Sequence, residues 1–192
     1  RDRSTCGLSA GDSLTLYDLI CGLLLQSGND CAAAIAEHIS GSQEAFAELM
    51  NTEAKQLGAT GTHFVNPHGL HDENHYTTTY DLYLMFNEAL KDQAFLDIIS
   101  MNSYTAKVTS ADGTSYTPTW QATNYYSAGE ATPPDGIHVY GGKTGTTDQA
   151  GNCVILYEKN TAGEPYISVI MGASDKPLLY EEMNELLDAG MK

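Results

Sequence analysis

The sequence predicts an α+β fold, helices first and antiparallel strands last, and two observations carry that expectation. Apolar residues recur at helical spacing through the first half of the chain, whereas from Tyr104 onward they alternate or run in short blocks between turns rich in Gly and Asn. With no internal repeat, low-complexity tract or composition break, a single domain over 1–192 is the simplest count.

The elements follow in order. Thr15 and Asp18 form a capping box ahead of Leu16, Leu19, Ile20, Leu23 and Leu24, and Gln26-Ser27-Gly28-Asn29 then breaks the pattern with a polar turn. Ala32, Ile35, Ala36 and Ile39 continue as a short helix. Ser42 caps a third, carrying Phe46, Leu49, Met50 and Leu57, which Gly58 stops. No period holds from Gly61 to His75, where Asn66-Pro67-His68-Gly69 reads as turns in a long ordered loop. Thr78 and Asp81 cap the next helix, which buries Leu82, Met85, Phe86, Ala89 and Leu90, and a short helix follows around Phe95 to Ile99. Tyr104, Ala106 and Val108 alternate up to Asp112-Gly113, a strong hairpin signal, with Ser115 to Thr119 as the return strand. Tyr125 to Asp135 reads as loop. Strands are expected at His138 to Thr146, Asn152 to Glu158 and Tyr166 to Met171, closed by an amphipathic helix from Lys176 to Ala189.

Composition narrows the function classes. Nine Lys plus Arg against 25 Asp plus Glu give a net charge of −16, which repels nucleic acid and anionic membrane surfaces. No run approaches the ~20 apolar residues of a membrane span, and Arg1 to Ala10 lacks the hydrophobic core of a signal peptide. Cys6, Cys21, Cys31 and Cys153 form no Cys-x-x-Cys pair, so they read as buried thiols behaving as small hydrophobes. Four cysteines can also pair outside the cell, and the spacing does not say which would.

Lys143 stands out among so few cations. It lies in Gly141-Gly142-Lys143-Thr144-Gly145-Thr146-Thr147, where glycines let an extended peptide lie against the strand while the ammonium and hydroxyls take its carboxylate. At the first helix end, Ser27 and Asn29 present a hydroxyl and an amide able to relay a proton and hold a carbonyl. Ser27-Gly28-Asn29 followed after 116 residues by Lys143-Thr144-Gly145 resembles the second and third signatures of the penicillin-binding proteins and serine β-lactamases. Leu25 to Asp30, Gly41-Ser42-Gln43, Phe64 to Leu70 and Lys143 to Gly151 are similar to the low-molecular-mass D-alanyl-D-alanine carboxypeptidases, and His68-Gly69-Leu70 favours that branch over class A β-lactamases.

The resemblance implies a penicillin-binding-protein-type transpeptidase fold with a helical region on an antiparallel sheet. It also implies a serine peptidase that removes the terminal D-alanine of peptidoglycan stem peptides through an acyl-enzyme and is acylated by β-lactams. In that scheme Ser27 passes a proton to the leaving amine and Asn29 binds the substrate amide. Lys143, with Thr144 and Gly145, binds the carboxylate, and the backbone N–H of Thr146 supplies half of the oxyanion hole. No cofactor or metal is implied, the location is extracytoplasmic, and any membrane anchor lies in a segment this chain does not contain. One element departs from the pattern: no lysine has a serine three residues before it, so the nucleophile motif Ser-x-x-Lys is absent. The expectation is therefore an incomplete catalytic domain, without its N-terminal strands and nucleophile helix and inactive alone. Two rivals remain: a non-catalytic module that binds peptidoglycan peptides, and a zinc hydrolase built on His63, His68, His71 and His75 with Asp72 and Glu73.

Overall fold

A computed structural model describes residues 4–190, so the outermost residues of the expected 1–192 unit lie outside the described range. Five helices come first: α1 (Leu16–Leu25), α2 (Asn29–Ser40), α3 (Gln43–Gln56), α4 (Thr79–Ala89) and α5 (Gln93–Ile99). Side chains cap every start but that of α2, which follows Gly28. The Thr15 side chain accepts from the Asp18 N–H while Asp18 reaches back to Thr15, and Ser42, Thr78 and Asp92 cap the later helices. Helix α2 begins at Asn29, three residues before the expected Ala32, so the polar turn between α1 and α2 is tighter than the apolar pattern indicates.

The hairpin forms, but as two short ladders rather than one. β1 (Ser103–Thr105) pairs with β4 (Thr119–Gln121), and β2 (Val108–Thr109) with β3 (Ser115–Tyr116). Between the ladders the Ala106 N–H donates to the Pro118 carbonyl, and Pro118 has no N–H to return. The segment expected to be loop from Tyr125 contains a helical turn, α6 (Tyr125–Ala128). Asn124 caps it by accepting from the N–H groups of Tyr126 and Ser127, and the Tyr180 hydroxyl accepts from the Tyr125 N–H. A single turn carries too few apolar residues to register as a period.

The main sheet is an antiparallel meander of β5 (His138–Thr147), β6 (Gly151–Lys159) and β7 (Pro165–Ala173), closed by α7 (Lys176–Ala189). Its two faces have separate partners. Val154 and Leu156 pack against Leu179, Tyr180, Met183 and Leu187 of α7, each buried side chain contributing about 1.5–3 kcal/mol. Ile155 faces the other way, onto Phe86 of α4 and Ile99 of α5, with Leu24 of α1 against the same cluster. The helical half has its own core of Cys6, Leu19, Cys31, Ile35, Ala106 and Trp120. Among the described residues no helix is long and apolar enough to cross a membrane.

Candidate active site

The turn between α1 and α2 positions the first two candidate side chains. The N–H groups of Gln26 and Gly28 both donate to the Gly22 carbonyl, at 3.1 and 3.2 Å, which folds the chain back on itself. Ser27, caught between them, is the sole non-glycine among the described residues with positive φ, at 59°. A β-carbon in the left-handed region costs about 1 kcal/mol or more, and such strain concentrates where a side chain must be aimed. Asn29 opens the first turn of α2 behind it.

β5 supplies the opposite wall. Lys143 pairs in register with Ile155 and Thr144 with Val154, so one edge of β5 is occupied by β6 and the other is turned toward α5, α6 and the cleft. Gly141 and Gly142 are required for this packing. A β-carbon at Gly141 would fall 1.7 Å from the Ile99 carbonyl oxygen, and one at Gly142 would fall 1.9 Å from that of Ile155. Gly145 differs, since a β-carbon there would meet nothing within 4 Å.

Lys143 Nζ donates to Ser27 Oγ at 2.7 Å, joining residues 116 apart in the chain, and to the Thr144 carbonyl oxygen at 2.7 Å. Part of the lysine faces the cleft, but protein packed around its ammonium strips away water and pushes its pKa down to about 8. Among the described residues no ion pair compensates that loss. The lysine can therefore exchange a proton near neutral pH, through a hydrogen bond already made to a hydroxyl.

Ser27, Asn29, Lys143, Thr144, Gly145 and Thr146 all line one cleft of about 610 Å³, so the structure brings together every site residue expected from the sequence. The loop around Asn66 closes one side. Asn66 Oδ1 accepts from the Gly69 N–H at 2.7 Å, and its Nδ2 donates to the Leu70 carbonyl at 2.9 Å. Thr123, which sequence reasoning did not single out, binds Thr144 hydroxyl to hydroxyl at 2.7 Å. It sits in no motif, and only the return of the hairpin toward β5 makes it part of the wall.

The loop histidines are used differently from the zinc expectation. His63 Nδ1 contacts the Asn74 carbonyl, His75 Nδ1 accepts from the Val65 N–H, and His68 Nδ1 accepts from the Leu70 N–H. Burial, and next the neighbouring His68, hold the pKa of His75 below the ordinary imidazole value. Among the described residues these side chains do not converge as a ligand set; only Cys6, Asp30 and Cys31 cluster in that way.

Known proteins resemble this chain in sequence and in fold. The chain is 31% identical over 181 residues to the D-alanyl-D-alanine carboxypeptidase DacF of Bacillus subtilis, covering 94% of this chain and 44% of that protein. It is 31% identical to DacC of Escherichia coli, covering 100% of this chain and 44% of that one. The chain thus spans less than half the length of these relatives. The crystal structure of the Streptomyces K15 DD-transpeptidase superposes with a TM-score of 0.88 at 28% identity, over 98% of this chain and 72% of that one. A D-alanyl-D-alanine carboxypeptidase structure from Mycobacterium tuberculosis superposes with a TM-score of 0.84 at 27% identity, over 100% and 69%. Because the family model described as D-alanyl-D-alanine carboxypeptidase, peptidase S11, matches residues 1–175, the chain belongs to that family.

Proposed function

We propose that this chain forms the proton-relay and carboxylate-binding walls of a serine-type D-alanyl-D-alanine carboxypeptidase acting on peptidoglycan stem peptides that end in D-Ala-D-Ala. One observation carries the reading: a desolvated lysine hydrogen-bonded at 2.7 Å to the serine of Ser27-Gly28-Asn29, in one cleft, in a chain of this family. The substrate would lie extended along the free edge of β5 beside Thr144, Gly145 and Thr146, its terminal carboxylate drawn to Lys143 and the threonine hydroxyls. Asn29 would hold the substrate amide. Ser27 would hand its hydroxyl proton to the departing D-alanine amine and take one back from Lys143, whose pKa near 8 suits that exchange. The Thr146 N–H would stabilise the tetrahedral oxyanion with a second N–H from the nucleophile.

The nucleophile belongs to a Ser-x-x-Lys segment that the sequence does not include, so this chain alone binds and does not acylate. The substrate places the protein outside the cytoplasmic membrane, and β-lactams would occupy the same cleft. Intact-mass measurement after incubation with a labelled penicillin tests the reading. An adduct is expected on a form extended upstream through the Ser-x-x-Lys helix and not on this chain. No adduct on either, with no turnover of a D-Ala-D-Ala peptide, overturns the hydrolase in favour of a peptide-binding module, whereas turnover without an adduct that a chelator abolishes would favour the zinc reading instead.

A further inference from the structure

Against the glycines of the Ser27 turn, outside the lining of the cleft, two cysteines distant in sequence meet in the buried core. Cys6 lies in the segment leading to α1 and Cys31 in the first turn of α2, and both are buried. Their sulfurs and a carboxylate oxygen of Asp30 all lie within 4.8 Å of one another. Two glycines leave the room they occupy. A β-carbon at Gly22 would fall 2.7 Å from Cys31 Sγ and 2.8 Å from Cys6 Sγ, and one at Gly28 would fall 2.5 Å from Cys6 Sγ and 3.3 Å from Cys31 Sγ. The backbones of both cysteines are tied to the same carboxylate. Asp30 accepts from the Cys6 N–H at 2.9 Å and from the Cys31 N–H at 3.0 Å. It also takes the Leu8 N–H at 3.0 Å and the Thr5 hydroxyl at 2.6 Å.

We propose that Cys6 and Cys31 are a disulfide-forming pair, which on oxidation staples the segment around residues 4–8 to the first turn of α2, beside Ser27 and Asn29. Cysteines scattered as ordinary core thiols have no reason to meet against two glycines with their backbones held by one carboxylate. Cys21 lies in a separate cluster with Leu25 and Ile98, and Cys153 is on β6 with its thiol toward the Ala150 carbonyl. A metal ion is a poorer occupant, because both Asp30 oxygens already accept backbone or hydroxyl hydrogens and leave only two thiols as ligands. The Cys31 thiol is raised far above its ordinary value by its contact with the Cys6 thiol and by burial, so it is the poorer first nucleophile.

The oxidant is a disulfide, either a small molecule such as oxidised glutathione or a protein disulfide. The Cys6 thiolate attacks one sulfur of that bond, forms a mixed disulfide and expels the other sulfur as a thiolate, which takes up the Cys6 proton. The Cys31 thiol, giving up its own proton, then attacks Cys6 Sγ, closes the Cys6–Cys31 bond and releases the second thiol. Two protein thiols are oxidised and one external disulfide is reduced to two thiols. The bridge closes a loop containing all of α1 and the Ser27 turn, and the Asn29 N–H already donates to the Ser4 carbonyl at 2.9 Å across the same junction. The inference does not depend on whether the cleft hydrolyses anything.

The test is thiol counting on the full chain after equilibration with oxidised glutathione, with alkylation under denaturing conditions and peptide mapping. The number of alkylated cysteines is expected to fall from the four in the sequence to two. The mass should drop by two hydrogens and the mapped bridge should join Cys6 to Cys31. The melting midpoint is expected to rise by about 5–10 °C on oxidation. Cys6→Ser removes the bridge and the thermal shift together, whereas Cys153→Ser keeps both. Retention of four alkylated thiols, a bridge to Cys21 or Cys153, a glutathione adduct on Cys6 that never resolves, or protection that zinc confers and a chelator removes would each overturn the proposal.

Discussion

Lys143 is held at a cost, and that cost sets a pH dependence. Its folded pKa of about 8 lies below the ordinary 10.5, so between these values the unfolded chain binds more protons than the folded one. Stability from this group therefore rises with pH across that window, by up to about 3 kcal/mol. Urea denaturation of the wild type and of Lys143→Met from pH 7 to 11 should isolate the effect, with the difference between them changing across the window and flattening outside it. A constant difference would mean that the ammonium is solvated. The same substitution is expected to abolish penicillin labelling of the upstream-extended form. Ser27, in its left-handed conformation, completes the pair, so strain and desolvation fall together on the two residues proposed to pass the proton.

At the level of the strand, β5 sets glycines that packing requires within a few residues of one proposed to face the ligand. Gly142→Ala drives a β-carbon into the Ile155 carbonyl, a backbone atom that cannot swing away, and is expected to cost about 3 kcal/mol or more in a denaturant titration. Gly145→Ala meets open space, so its melting should stay near the wild type while penicillin labelling of the extended form falls about tenfold or more, as the new methyl holds a ligand off the strand. Strand β6 carries a second cost. Glu158 is buried, its Oε2 has no hydrogen-bond partner among the described residues, and desolvation raises its pKa to about 7, against which the Ser168 hydroxyl bonded to Oε1 works only partly. A carboxyl raised from 4.5 gives stability that is complete below that pH and lost as pH climbs through 7. Glu158→Gln should therefore be more stable than wild type at pH 8, by up to about 3 kcal/mol, with the gain disappearing near pH 4. These placements also divide what the sequence discloses from what it does not. Capping residues and helical or alternating periods are local, so α1, α3, α4 and α7 and the three long strands stand close to where the sequence puts them. The interruption of the hairpin at Pro118, the single turn of α6 and the entry of Thr123 into the cleft depend on partners far along the chain. Ser27, Asn29 and Lys143 to Thr146 are legible because their residue types recur in a fixed order, while the meeting of Cys6 with Cys31 is written in no spacing.

For the whole molecule, the net charge of −16 opposes the anionic ligands its cleft is proposed to receive. Long-range repulsion slows their approach and is screened by salt over a Debye length of about 10 Å at 0.1 M. The second-order rate of labelling by an anionic penicillin on the upstream-extended form is therefore expected to rise about two- to five-fold between 10 and 150 mM salt. A rate that falls with salt would mean that the field of Lys143 dominates at a distance. The hydrogen bond between Ser27 and Lys143 has a kinetic consequence as well. It spans 116 residues and joins a helical half to a sheet half, each with its own apolar cluster, which meet where Leu24 reaches Phe86, Ile99 and Ile155. The helical half closes contacts nearly as long, Cys6 against Trp120, so loop length does not order the two events, and the ammonium loses its water only where the halves dock. In a refolding time course, the shift of one lysine's titration is then the clock for the docking of the two halves.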